Sequence, residues 1–153
     1  MIPADIDNFI VHTITNYRSK YGIYIKNANI LPKELGNCSS LRILDLYGNN
    51  IVDISALSNC LNLTILYLCN NQIVDISALS NCFNLNKLYL DYNQIVDISA
   101  LSNCLNLTKL CLNSNQIVDI SALLNCKNLK YLYVRNNNIK AKIKFNGNII
   151  VNY

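Results

Sequence analysis

Hydrophobic residues recur in this chain at fixed places within a unit of 22 residues, starting at Leu41, Leu63, Leu85, Leu107 and Leu129. The first, fourth, sixth and eleventh places of a unit are apolar, and the ninth is Asn. In the second unit these are Leu63, Leu66, Leu68, Ile73 and Asn71. Alternation around Leu66 and Leu68 has the two-residue period of a short strand with one buried face. The segment IVDISAL then recurs unchanged from Ile51, Ile73, Ile95 and Ile117. Its aspartates, Asp53, Asp75, Asp97 and Asp119, stand where an N-cap would precede one or two turns of α or 3₁₀ helix. Each unit reads as a strand, a turn and a short helical return. Equal units that each leave an apolar edge must stack to bury it. The pattern predicts a parallel sheet on one side and helical returns on the other.

The flanks follow other periods. Ile6, Phe9, Ile10, Ile14 and Tyr17 recur at helical intervals, which predicts an amphipathic helix over residues 5–19 covering the open end of the core. Residues 20–40 read as a degenerate first unit one residue short, with Ile23, Ile25 and Ile30 inward and with Leu35 and Cys38 at the later spacing. Asn146-Gly147 lies between two strand-like runs, a type I′ hairpin signal that would close the other end. The expected organisation is a single domain over residues 1–153. It comprises a helical cap (1–19), a degenerate repeat (20–40), five repeats (41–139) and a hairpin cap (140–153).

The run LxxLxLxxNxI followed by DISALSNCxN resembles the leucine-rich repeat, in the 22-residue class of internalins and the protein phosphatase-1 regulatory subunit. The likeness covers residues 41–139, with the last unit keeping Leu129, Leu132, Val134, Asn137 and Ile139. It implies an α/β right-handed solenoid with its parallel sheet on the concave face and short helical segments on the convex face. It also implies a non-enzymatic protein–protein interaction module, with phosphatase binding or a host-directed role among the uses the two groups suggest.

Three ladders of identical residues follow from the period. Cys38, Cys60, Cys82, Cys104 and Cys126 recur every 22 residues. Stacked side chains point in parallel and suit neither a disulfide nor converging metal ligands, so these read as small buried hydrophobes. Asn49, Asn71, Asn93, Asn115 and Asn137 resemble the family's asparagine ladder, their amides bonded to the backbone of neighbouring turns. The aspartate column lacks the six to eight converging oxygens that Ca²⁺ needs, and capping accounts for it. No cofactor or metal is expected. Asn37-Cys38-Ser39, Asn62-Leu63-Thr64 and Asn106-Leu107-Thr108 match N-x-[ST], but they fall inside the repeat consensus with Leu63 and Leu107 in the core.

Composition narrows the class. Apolar residues make up 52% of the 153 and charged residues 14%, which excludes a disordered chain. No apolar stretch approaches the roughly 20 residues of a membrane helix. Acids at Asp5 and Asp7 stand where a signal peptide would carry positive charge, so a cytoplasmic monomer is expected. The net charge of +4 makes no general case for nucleic acid. The single histidine, His12, falls in the cap helix, and the chain has no P-loop, dinucleotide-binding glycine pattern or HExxH. No catalytic residue is assigned.

Specificity in a solenoid lies where its copies disagree. The outward strand places are the third (Ile43, Ile65, Lys87, Lys109, Tyr131), the fifth (Asp45, Tyr67, Tyr89, Cys111, Tyr133) and the seventh (Tyr47, Cys69, Asp91, Asn113, Arg135). Tyr92 adds a ring from an eighth place. Tyrosine joins apolar area to a polar tip, as interfaces favour. The expected site therefore has Tyr67, Tyr89 and Tyr133 as a central stripe, with Lys87, Lys109, Asp91 and Arg135 fixing orientation and Asp45, Tyr47, Tyr92 and Tyr131 around them. Cys69 and Cys111 are expected to face solvent, with Lys109 as a source of positive charge for Cys111. The leading function is recognition of a protein partner of unknown identity through the concave face. Two other classes stay open: a structural or self-associating module, and a basic adaptor touching RNA or an acidic protein surface. The last rests on Lys127, Lys130, Arg135, Lys140, Lys142 and Lys144, which follow Asp119 with no further acid.

Overall fold

A computed structural model describes residues 18–19, 22–141, 143–145 and 148–153. Among the described residues eight strands lie in chain order in one sheet: β1 (Arg18–Ser19), β2 (Gly22–Tyr24), β3 (Ile43–Asp45), β4 (Ile65–Tyr67), β5 (Lys87–Tyr89), β6 (Lys109–Cys111), β7 (Tyr131–Tyr133) and β8 (Ile150–Asn152). From β2 to β8 all pairs are parallel, and the register holds the predicted columns. Leu44, Leu66, Leu88, Leu110 and Leu132 face one another along the ladder. The five returns that link β2 to β7 are 3₁₀ rather than α: Lys33–Asn37, Ser55–Leu57, Ser77–Asn81, Ser99–Asn103 and Ser121–Asn125. Three to five residues are too few to repay α-helix nucleation, and the tighter coil brings the chain back within 22 residues.

The core is a continuous stack. Leu44, Leu46, Ile51, Leu57 and Leu63 are fully buried, and their counterparts repeat this through Leu132, Val134, Ile117, Leu123 and Leu129, while Ile139 in the last coil is half-buried. The asparagine ladder forms as expected. Asn71 donates to the carbonyls of Leu46 (2.9 Å), Leu68 (3.0 Å) and Cys69 (3.4 Å), and accepts the Ile51 N–H at 3.0 Å. The ladder cysteines are buried, with Cys60 Sγ donating to the Leu35 carbonyl at 3.4 Å. Desolvation pushes the Cys60 and Cys104 thiols up to about 12, so both stay protonated.

Four local expectations change. Asp53, Asp75, Asp97 and Asp119 stand one residue before the N-caps, which are Ile54, Ile76, Ile98 and Ile120. Each carboxylate reaches past its buried isoleucine to accept the first helical N–H at 2.7–2.8 Å. The same serine's hydroxyl donates to the other oxygen at 2.8–3.1 Å. These bonds hold the Asp53 carboxyl below its usual range.

Ile30 points outward, 76% exposed, while Ala28 and Leu31 fill the inward slots. The turn after β2 runs straight from Asn27, at positive φ like Gly48, to Ala28, whose N–H takes the Asn49 carbonyl as Ile51 takes that of Asn71. This coil thus lacks the ladder asparagine and the residue after it, which shifts the inward register away from Ile30.

Arg18–Ser19 forms a strand antiparallel to β2, not the end of a helix, and so bonds the exposed edge of the sheet. The expected helix and His12 otherwise lie outside the described residues. At the far end no hairpin forms among the described residues. Residues 143–145 are not strand, and β8 joins β7 in parallel, Val151 opposite Leu132. The chain makes one more shortened coil, because a parallel return satisfies the backbone groups along the β7 edge. Tyr153 braces it, with the Ile143 N–H donating to its hydroxyl at 3.1 Å. The Asn146-Gly147 turn lies outside the described residues.

Candidate functional site

Side chains at the outward places project from β3–β7 because their neighbours in sequence, Leu44 to Leu132 and Leu46 to Val134, are locked inward. Parallel register then brings one place of every coil into a column about 4.8 Å per step. In the fifth-place column Asp45, Tyr67, Tyr89, Cys111 and Tyr133 stand side by side. Tyr67 and Tyr89 stack with ring centroids 4.7 Å apart and planes 11° from parallel. That separation matches the strand spacing, so the sheet itself sets the stack. Burial, then the neighbouring Tyr89 hydroxyl, pushes the Tyr67 phenol up.

Beyond Tyr89 the stripe is interrupted by Cys111, and Lys109 fills the gap from the third place. Its ammonium sits 5.2 Å from the Tyr89 ring centroid and 5.6 Å from that of Tyr133. Burial works against the charge there, but Tyr89, Cys111 and Tyr133 outweigh it and hold the ammonium protonated. Lys87 is exposed beside Lys109 in the same column, and Tyr131 follows, 42% exposed. Cys111 does not face solvent as expected: it is buried under these side chains, and desolvation pushes its thiol to about 11. The nearby Asp91 adds to that rise, and Lys109 lowers the thiol too little to offset it.

The seventh and eighth places form a second strip at the strands' C-terminal ends. Tyr47, Asp91, Tyr92 and Arg135 line an open groove of about 470 Å³ together with Cys69 and Asn113. Asp91 is oriented by its own fold, which engages both oxygens. One accepts the Asn113 N–H at 2.9 Å and the other the Cys69 thiol at 3.3 Å. Burial and the Asp91 charge push the half-buried Cys69 thiol to about 12. Asp45 has one oxygen engaged, accepting the Tyr47 N–H at 2.9 Å. Tyr92 has φ +57°, in the place where other coils carry Gly48, Asn70, Ser114 and Asn136. A tyrosine in the left-handed region is strained, yet its ring is held 60% exposed.

The return side offers grooves of about 500 and 480 Å³, lined by the same Val, Asp, Ser and Ala in successive coils. Their sameness carries no discrimination between one part of a partner and another. A second asparagine ladder, not among the three expected from the period, ties the coils on this side. Asn62, Asn84, Asn106 and Asn128 donate to the carbonyls of Ser39, Leu61, Phe83 and Leu105 at 2.8–2.9 Å. Their 22-residue recurrence was the available signal. Among the described residues no group of three or more His, Cys, Asp or Glu is placed to hold a metal, and no helix is long and apolar enough to cross a membrane.

A family model described as Leucine Rich repeats (2 copies) matches residues 39–81, 61–103, 83–125 and 105–147. No curated protein matches the sequence. Among solved structures, an internalin (inlF) from Listeria monocytogenes is 36% identical with a TM-score of 0.70, covering 76% of this chain and 35% of its own. An internalin C2 (inlC2) from the same organism is 30% identical with a TM-score of 0.67, over 79% of this chain and 64% of its own. The ectodomain of the receptor kinase GASSHO1/SCHENGEN3 from Arabidopsis thaliana, in complex with CASPARIAN STRIP INTEGRITY FACTOR 2, is 26% identical with a TM-score of 0.67. That match covers 88% of this chain and 18% of the ectodomain. The chain thus spans less than two thirds of each of these structures.

Proposed function

This chain belongs to the leucine-rich-repeat family, and we propose that it is a protein-interaction module whose partner lies across the outward face of β4–β7. The observation that carries the reading is the track formed by the stacked Tyr67 and Tyr89 rings, the Lys109 ammonium and Tyr133. Rings and a lysine aligned on a rigid sheet are preorganised, so little side-chain entropy remains to be lost on binding. The strained, exposed Tyr92 beside that track adds an element that folding alone does not favour. Proteins of this family are commonly binding modules, and one similar ectodomain is described in complex with CASPARIAN STRIP INTEGRITY FACTOR 2. The described site offers no activated nucleophile, since its two thiols are held protonated.

The test is affinity capture from native cells with Tyr67→Ala/Tyr89→Ala set against the unmodified chain, circular dichroism serving to establish that both are folded. Loss of the specifically captured protein is the expected outcome. Equal recovery by the folded double variant would remove the reading.

A further inference from the structure

The third-place column places Lys87 directly beside Lys109 across the β5–β6 pair, about 4.8 Å apart at the backbone. Like charges directly opposite one another destabilise a sheet. Elsewhere in the repeat this column is filled by Ile43, Ile65 and Tyr131. Among the described residues no carboxylate pairs with either lysine. The chain has nine acids, of which Asp5 and Asp7 lie outside the described residues. Glu34 sits on the first return, and Asp53, Asp75, Asp97 and Asp119 are bonded to serines before the others. The two on the sheet face, Asp45 and Asp91, stand at the opposite ends of the strands and accept bonds from Tyr47, Asn113 and Cys69. Lys130, exposed immediately before β7, extends the same edge. The upstream half of the face over β5–β7 is therefore cationic, with the Tyr89 and Tyr133 rings as its apolar wall.

We infer that this half of the face receives an acidic peptide segment of the partner, with a carboxylate bridging Lys87 and Lys109 and an aromatic or apolar residue against Tyr89 and Tyr133. The inference rests on the reading of the sheet face as the interface and adds the chemistry of what it binds. An anion here meets two lysines from adjacent strands, the ammonium of one already fixed over two rings. Charge complementarity of this kind sets specificity and association rate.

The experiment measures binding of a random glutamate–tyrosine copolymer to the full chain across a salt series. A lysine–tyrosine copolymer and homopolymeric RNA serve as competing probes. Lys87→Glu/Lys109→Glu is compared with Lys140→Glu/Lys144→Glu, which makes the same change in net charge outside the face. The expected result is salt-sensitive binding of the acidic copolymer, weakened at least tenfold by the first pair and little altered by the second. Equal loss with both pairs, binding of the basic copolymer, or preference for RNA would overturn the inference. Captured cellular protein separates this from the parent reading. If Tyr67→Ala/Tyr89→Ala abolishes capture while Lys87→Glu/Lys109→Glu does not, the face is the interface and the acidic segment is wrong. If neither pair matters, the interface itself falls.

Discussion

Asn71 and Asn84 illustrate how one residue type does two jobs of different energetic weight. Asn71 is buried and satisfies three carbonyls and one N–H that water cannot reach. Asn84 makes one bond, to the Leu61 carbonyl, at an exposed position. Leaving buried polar groups unmet costs about 1–3 kcal/mol, whereas surface changes stay within about 0.5 kcal/mol. Asn71→Ala is therefore expected to lower the urea-derived stability by about 3 kcal/mol and Asn84→Ala by about 0.5 kcal/mol. Similar losses from the two would show that the ladders are equivalent. Tyr92 gives the opposite sign. Its positive φ is free of strain for glycine, as at Gly48. Tyr92→Gly is expected to raise stability by about 1 kcal/mol while weakening partner capture. A destabilised variant would mean that the ring packs more than its exposure implies.

At the scale of the element, each full return ends on a cysteine. Cys82, Cys104 and Cys126 are the C-caps of their 3₁₀ turns, and their N–H groups bond back to Leu79, Leu101 and Leu123. Burial raises these thiols above the ordinary value, Cys82 to about 11 and Cys104 to about 12. An acid whose pKa is raised by folding holds its proton more tightly in the native state. Its contribution is therefore complete below the unfolded thiol's pKa of about 9 and is lost as pH climbs toward 11–12. Thermal midpoints are expected to fall between pH 8 and 11, with a shallower slope in Cys82→Ala/Cys104→Ala. An unchanged slope would assign the alkaline loss to other groups, such as the tyrosines.

The 22-residue strand and return was legible from Leu63, Leu66, Leu68 and the IVDISAL segment, because alternation and equal spacing are local properties. That the return is 3₁₀, and that Asp53 stands before the N-cap rather than at it, depended on how far Ile54 had to turn into the core.

For the whole molecule, stacking nearest neighbours makes stability close to a sum over coils. Removing residues 74–95 joins Ile73 to Val96 and leaves every remaining coil in register. That shortened chain is expected to fold cooperatively with a urea m-value lower by roughly a seventh, since m follows the surface exposed on unfolding. Removing residues 74–84 instead sets strand against return and should abolish the cooperative transition. Comparable behaviour of the two deletions would contradict independent coils. The ends obey a different logic. Arg18–Ser19 and β8 each bond to a strand that has no further repeat beside it, and what satisfies such an edge differs from what continues it.

The period of the chain alone determined the coil, the inward leucines and isoleucines, the asparagine ladder and the list of outward places. Each of these follows from burying a repeated apolar edge with its backbone groups satisfied. Only the tertiary structure decided which outward side chains cooperate. Lys109 bridges Tyr89 and Tyr133, Cys111 sinks beneath them, Asp91 turns to Asn113 and Cys69, and Ile30 yields its slot to Ala28 and Leu31. These outcomes depend on neighbours 20 or more residues away, or on residues missing from a turn. A pattern of apolar and polar places carries the direction of a side chain but not the company it finds there.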